Sequence, residues 1–269
     1  MSQYFRFLLK DPSNTCDELV GSRTDIFFMT DLDGSCWLYM PFKNKKDAEK
    51  PLKTEMFEKY EAIDIKQYMD WGVQWSTHCP DYRDYMLHID LAKYTHVDKS
   101  FPILNLKAGP GFGDLSHPTT RLTLAMMADR VKDKIVLDIG SGSGILSLAA
   151  ILLGAKCAIG VDIDDEAIEH SKENAILNKL EDHVLFVKPH KLKLDPSQSY
   201  IIVFNMIRTQ QSEAWTSMPV LSTIAGTCIT SGILVDERDI YLKECEKRGW
   251  QLISEQEQND WLAFEFEVG

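Results

Sequence analysis

From Phe101 onward, short apolar runs alternate with stretches in which apolar residues recur every three or four positions. The first pattern is that of buried strands and the second that of helices packed on one face. Ile135 to Ile139 reads as a continuous apolar strand, as expected where helices cover both sides of a sheet. Ile145 to Leu153 reads as a helix closed by Gly154. Cys157 to Val161 is a second strand, and Asp164 caps the next helix with Asp165 and Glu166 at its positive end. "HVLFV" and "YIIVFN" supply a third and a fourth strand, and "TCITSGIL" a fifth. The helix "DERDIYLKECEKRGW" follows, and "WQLIS" with "WLAFEFEV" closes the chain as a hairpin. Upstream, Ser116 is expected to cap a helix whose first turn accepts Pro118 and which runs through "TTRLTLAMMADRV". Alternation of this kind predicts an α/β fold, a doubly wound, mostly parallel sheet with its ligand at the carboxyl ends of the strands.

The first hundred residues are patterned differently. "TDIFFMTDLDGSCWLYM" reads as two strands joined by a turn at Asp31–Gly34. A charged stretch around Thr54 to Ala62 reads as a helix. An aromatic-rich segment with Trp71, Trp75, Tyr82 and Tyr85 follows, and its rings are expected to serve packing. The expected organisation is a small α+β region with a connector over 1–100, and a larger α/β domain over 101–269.

Composition narrows the function. With 269 residues, 44% apolar and 26% charged, the chain can fill a sizeable core. A net charge of −12 argues against a dominant grip on nucleic-acid phosphates and would attract a basic partner at low salt. The six cysteines have no C-x-x-C pair, so neither a zinc nor a redox site is expected. Cys157 and Cys228 read as buried small hydrophobes, and reduced thiols fit a cytoplasmic protein. The opening "MSQYFRFLLKDPSN" lacks a secretory apolar core, and the run Ile145 to Ala155 spans only about half of the ~20 residues that cross a bilayer.

The chemistry concentrates in "VLDIGSGSG", Val136 to Gly144. Gly140, Gly142 and Gly144 permit a tight turn and let backbone approach a ligand. A phosphate-binding P-loop would need Gly-Lys-Ser/Thr at the helix start, and the chain has Gly144-Ile145-Leu146. A dinucleotide site prefers G-x-G-x-x-G/A, and here the third glycine comes one place early. Asp162, 22 residues past Gly140 (162 minus 140), suits ribose hydroxyls of either cofactor class. Asp138, two residues before the loop, is expected to point toward the site. A carboxylate there suits the amino group and sulfonium of S-adenosylmethionine and repels a pyrophosphate. A dehydrogenase therefore ranks below a methyl-donor site.

"VLDIGSGSGILSLAAILLGAKCAIGVDIDDEAIEHSKENAILN" resembles the core of class I S-adenosylmethionine-dependent methyltransferases, whose sheet is Rossmann-like and seven-stranded. "GPGFGDLSHPTT", "VFNMI", "SGIL" and the terminal hairpin resemble the bacterial methyltransferases of ribosomal large-subunit protein L-eleven, the PrmA type. The similarity covers about Ala108 to the C-terminus. By matching position it implies cofactor contacts at Thr120, Gly140, Asp162 and Asn205, with Asn205 near the reacting end. His117 could be a base, although its place beside the helix cap favours a structural role. Two departures are clear: the family's Phe-Gly-Thr-Gly-Thr is Phe112-Gly113-Asp114-Leu115-Ser116 here, and the N-terminal region is short and does not match the family's substrate-recognition domain.

The resemblance implies methyl transfer to an amine of a basic protein, a lysine side chain or an N-terminal amine, with a ribosomal protein as the substrate. Asn205-Met206-Ile207 lacks the Asn-Pro-Pro-aromatic run that goes with planar nitrogens and opens no double-glutamate loop for a guanidinium. No direct nucleic-acid or membrane partner is expected. A small-molecule methyltransferase and a non-catalytic S-adenosylmethionine-binding scaffold remain the alternatives.

Overall fold

The alternation after residue 101 folds as a seven-stranded sheet in a computed structural model that describes residues 3–10, 27–30, 35–42, 45–51, 56–63, 71–79, 81–97 and 100–269. The chain divides into two compact units, Met1–Asp70 and Trp71–Gly269.

In the first unit, β1 (Gln3–Leu9), β2 (Phe27–Thr30), β3 (Cys36–Phe42) and β4 (Phe57–Ile63) form an antiparallel sheet in the order β2-β3-β1-β4. The short helix α1 (Lys45–Ala48) follows β3. Alternate residues of β1 face opposite ways, so Phe5, Phe7 and Leu9 pack with Leu38, Met40 and Ala48. Tyr4 and Leu8 pack with Trp37, Tyr39 and Ile63 on the other side. The turn expected at Asp31–Gly34 lies outside the described residues, but the two strands it would join do pair.

The helix expected around Thr54 to Ala62 is instead β4. A register shift opposite Leu8 and Leu9 pairs Leu9 with Phe57 and Leu8 with Lys59, which leaves Glu58 bulged. The bulge brings Phe57 and Tyr60, three residues apart, onto one apolar cluster. That spacing imitates a helical face, and only pairing with β1 reveals it as a strand.

The second unit opens with α2 (Trp71–His78), β5 (Tyr82–Arg83), β6 (Met86–Ile89) and β7 (Leu104–Lys107), the strands forming a small antiparallel sheet. Trp75, Leu87, Ile89 and Leu91 belong to the same apolar cluster as the helices that follow. The contacts therefore divide the chain near residue 70, upstream of the 100/101 boundary drawn from the change in patterning. Trp75 and Tyr82 are packing residues, whereas Tyr85 is exposed.

Next come α3 (Pro118–Ala128), β8 (Ile135–Ile139), α4 (Ile145–Leu152), β9 (Cys157–Val161), α5 (Asp165–Leu177), β10 (Val184–Val187) and β11 (Ser199–Asn205). The chain ends with α6 (Arg208–Ser217), β12 (Ala225–Leu234), α7 (Arg238–Lys247), β13 (Gln251–Gln258) and β14 (Trp261–Val268). The sheet order is β10-β9-β8-β11-β12-β14-β13. The first five strands are parallel, and β14 runs antiparallel to both β12 and β13. Strand residues alternate between two cores: Val136, Ile201 and Val203 face α3, α4 and α5. Leu137, Ile139, Ile202 and Phe204 face Tyr241 and Trp250 on the opposite side. Strand order reverses between β8 and β11, and the crevice at such a switch point is where this architecture binds ligands.

Two local expectations change. The cap of α3 is His117, whose Nδ1 accepts from the Thr119 amide, and not Ser116, whose amide and hydroxyl bond to Asp114 Oδ1 instead. Cys157 is half-buried, while Cys228 is fully buried as expected. Among the described residues no cysteine is in a disulfide, and no helix is long and apolar enough to cross a membrane.

Candidate functional site

The glycine loop turns at the end of β8. Gly140 and Ser141 donate their amides to Val161 O on β9, at 2.7 and 3.1 Å. Gly142 has φ +52°, and a Cβ there would stand 2.4 Å from Phe112 O, so only glycine fits between the loop and the segment before α3. Ser143 completes that junction, its amide bonding Phe112 O and its hydroxyl Gly113 O, both at 2.8 Å. Gly144 is the left-handed cap of α4 and does not line the cavity described below.

Asp162 joins the loop to the following helix. One carboxylate oxygen accepts from the Gly142 amide at 2.9 Å and the other from the Asp164 amide at 3.0 Å. A carboxylate has about four acceptor positions, so two backbone bonds fix its orientation and leave capacity for a ligand. Asp138 sits deeper, facing α4. Its Oδ2 accepts from the Ser147 amide at 3.1 Å and hydroxyl at 2.7 Å, while its Oδ1 is buried with no protein partner. Burial pushes this carboxyl up to about 6. The side chain does not line the cavity, so its action on a ligand would be through its field.

The other side of the crevice begins at the end of β11. Asn205 donates Nδ2 to Thr120 Oγ1 at 3.3 Å, and its Oδ1 is buried without a partner. Thr120 is wholly buried behind it. His117 stands between two rings, edge to face with Trp261 at 4.8 Å and with Phe112 at 5.9 Å. Burial lowers its pKa first, with the Arg121 charge adding to the effect, so its neutral form is favoured. The altered segment Phe112–Ser116 is tied down: Arg121 bonds the carbonyls of Leu115 and Ser116, and Cys79 Sγ donates to Asp114 O at 3.0 Å.

These groups surround a cavity of about 680 Å³, within the range of small-molecule sites. Gly140, Gly142, Asp162 and Asn205 line it together, while Thr120, Asp138 and Gly144 stand behind its wall. Among the described residues its charged lining is acidic, Asp162, Asp164 and Glu213, with no lysine or arginine. Sequence reasoning passed over α6, which brings Gln210, Glu213 and Ala214 to the rim, because "RTQQSEAWTS" has no apolar stripe to announce a helix. It also passed over Trp261 as a lining residue; the signal was the terminal hairpin, whose second strand lies beside β12.

Comparison with known proteins agrees with this fold. A family model described as ribosomal protein L11 methyltransferase (PrmA) matches residues 45–268, beginning upstream of Ala108, where the quoted motifs start. A ribosomal protein L11 methyltransferase of Oceanobacillus iheyensis is 31% identical over 176 residues, 64% of this chain and 55% of that protein. One from Dictyoglomus thermophilum is 31% identical over 197 residues, 72% of this chain and 64% of that protein. The chain thus spans between about half and two thirds of the length of these relatives. The crystal structure of a ribosomal protein L11 methylase from Lactobacillus delbrueckii subsp. bulgaricus superposes with a TM-score of 0.53 at 26% identity, covering 68% of this chain and 99% of that one.

Proposed function

We propose, for a chain that belongs to the ribosomal protein L11 methyltransferase (PrmA) family, that it methylates amines of a ribosomal protein, L11 first among them, using S-adenosylmethionine. The observation that carries this reading is Asn205: a residue lining the cavity whose buried amide oxygen has no protein partner, where the charged groups among the described lining residues are acidic. An orphaned buried acceptor is costly unless a ligand donates to it, and an acidic wall suits a cation.

The residues present fit S-adenosylmethionine. The glycine loop brings backbone to the cavity, Asp162 keeps acceptor capacity for ribose hydroxyls, and the buried Asp138 favours positive charge nearby. Among the described residues no lysine or arginine lines the cavity to hold a pyrophosphate. When bound, the cofactor supplies a methyl group made electrophilic by its sulfonium. The chain's part is to orient and desolvate the acceptor amine. A lysine amine costs about 4–5 kcal/mol to deprotonate at pH 7 and an α-amine about 1 kcal/mol. Burial in the crevice lowers either cost, and we assign to Asn205 Oδ1, which has no protein partner, the role of accepting a hydrogen bond from the neutral amine and aiming its lone pair. Alignment of the reacting groups is the main source of rate in such a site.

Among the described residues, those lining the cavity belong to the second unit, and we assign the first unit to recognition of the acceptor protein. A ribosomal protein as substrate places the activity in the cytoplasm. The test is incubation of the purified protein with methyl-labelled S-adenosylmethionine and recombinant ribosomal protein L11. Acid-stable label on lysine or the α-amine is expected. Cofactor binding without transfer to L11 would overturn the enzyme reading in favour of a binding scaffold, and label on free small molecules alone would overturn the substrate.

A further inference from the structure

We propose that Gln211 is a positioning residue for the acceptor side of the site, holding in place the strand end that carries Asn205; this rests on the methyl-transfer reading above. Gln211 lies in the first turns of α6 and is buried, with 2% of its surface exposed. Its Nε2 donates to Met206 O at 2.7 Å and to Ser231 O at 2.9 Å, and its Oε1 accepts from the Tyr241 hydroxyl at 2.7 Å. Carbonyls can only accept, so these partners fix which end of the amide faces which way.

The bonds fall where the sheet itself stops providing support. Asn205 and Ser231 are the last paired residues of β11 and β12. Beyond them Gly232 turns at φ +91°, so close to the next segment that a Cβ would stand 2.4 Å from Met206 O. At the same place β12 shifts register against β14, between Ser231 and Ile233. Ser231 O already accepts from the Met206 amide at 3.2 Å, and Gln211 adds a second donor to that carbonyl and one to Met206 O, tying the peptide after Asn205 to β12. Ser231 extends the brace, its hydroxyl bonding Leu262 O at 2.9 Å, next to the cavity residue Trp261.

A buried amide is unfavourable unless its groups are bonded, and a leucine of similar size would fill the space without that demand. What the amide adds is a fixed geometry for the peptide that follows Asn205. An amide oxygen that must meet an amine within a few tenths of an ångström needs such support. Tyr241, wholly buried, is the far anchor of the same chain of bonds.

The experiment compares Gln211→Leu and Tyr241→Phe with the wild type, using labelled S-adenosylmethionine and ribosomal protein L11. For Gln211→Leu the expected result is a kcat at least 10-fold lower, with cofactor Kd and acceptor KM within 3-fold of wild type. Tyr241→Phe keeps the amide but frees one end, and about a 3-fold fall in kcat is expected. Wild-type turnover together with an unimpaired Gln211→Leu overturns this inference alone. A wild type that transfers no label to L11 overturns the methyl-transfer reading and this inference with it. If Gln211→Leu does not fold, Tyr241→Phe decides: a lowered kcat at unchanged Kd and KM supports the brace, and an unchanged kcat overturns it.

Discussion

The two walls of the crevice are built in opposite ways. The wall assigned above to the methyl donor, here the donor wall, is local in sequence: β8, the glycine loop, α4, β9 and Asp162 span residues 135–162, and backbone amides make most of its bonds. The acceptor wall gathers Asn205, Gln211, Ser231, Gly232 and Trp261 from β11, α6, β12 and β14. Side-chain amides and one bulge hold it together. A wall made by backbone geometry tolerates change outside its glycines. A wall made by single side chains stands or falls with each of them. Substitutions on the two walls should therefore separate cofactor affinity from turnover.

The largest effect is expected on the acceptor wall. Asn205→Ala removes the orphaned amide oxygen of a residue that lines the cavity. One preorganised hydrogen-bonding group at a reacting centre is worth about 10²–10³ in rate, so kcat on L11 should fall by about that factor with cofactor Kd nearly unchanged. Equal losses in Kd and kcat would merge the two walls into one. Second is Asp138, raised from an ordinary value of 3.8 to about 6 by burial. A carboxyl that binds its proton more tightly when folded stabilises the fold less as pH rises from about 4 to about 6. The difference is about 3 kcal/mol by the size of the shift. Asp138→Asn should flatten that pH dependence and should lose the extra thermal protection that S-adenosylmethionine gives at pH 7.5 over pH 5. Parallel melting curves for the two proteins would contradict it.

The same contrast explains what could be read from sequence. The donor wall was legible because glycines at fixed spacing, an apolar strand and an acid 22 residues on are all short-range constraints. Asp138 and Thr120 were named but stand behind the wall, since spacing gives a residue's place on a strand or helix and not what lies in front of it. Asn205 came through the family's motif, whereas Gln211 had no signal at all: its partners meet only once strand order is known. In the first unit, the bulge at Glu58 made a strand resemble a helix. His117 took the cap from Ser116 because Asp114 competes for the serine's hydroxyl.

On the donor wall, Asp162→Ala removes both acceptors that orient Gly142 and Asp164, together with the capacity left for a ribose. Hydrogen bonds to a charged group contribute about 1.5–3 kcal/mol. Calorimetric titration with S-adenosylmethionine should show Kd raised by about 10- to 100-fold. The residual turnover at saturating cofactor should stay close to wild type, which is the converse of Asn205→Ala. A variant that binds normally but turns over slowly would place Asp162 on the wrong wall.

The smallest pair tests whether the donor wall owes its rigidity to buried amides or to surface charge. Lys107 is joined to α5 three times, and one of these bonds runs between its carbonyl and His170 Nε2 at 2.7 Å. Its backbone amide donates to Asn174 Oδ1 at 2.9 Å, and Asn174 Nδ2 donates in turn to Ser143 O in the glycine loop. Its ammonium pairs with Glu173 at 2.9 Å, where both side chains are more than half exposed. Asn174→Ala leaves two backbone groups to find water in a buried place, and a loss of about 2 kcal/mol in denaturant unfolding is expected. Lys107→Ala keeps the amide bond and removes only the solvated ion pair, so the change should stay below about 0.5 kcal/mol and vanish at high salt. If Lys107→Ala cost as much as Asn174→Ala, the strand before the glycine loop would be held by charge, and the donor wall would be as dependent on single side chains as the acceptor wall.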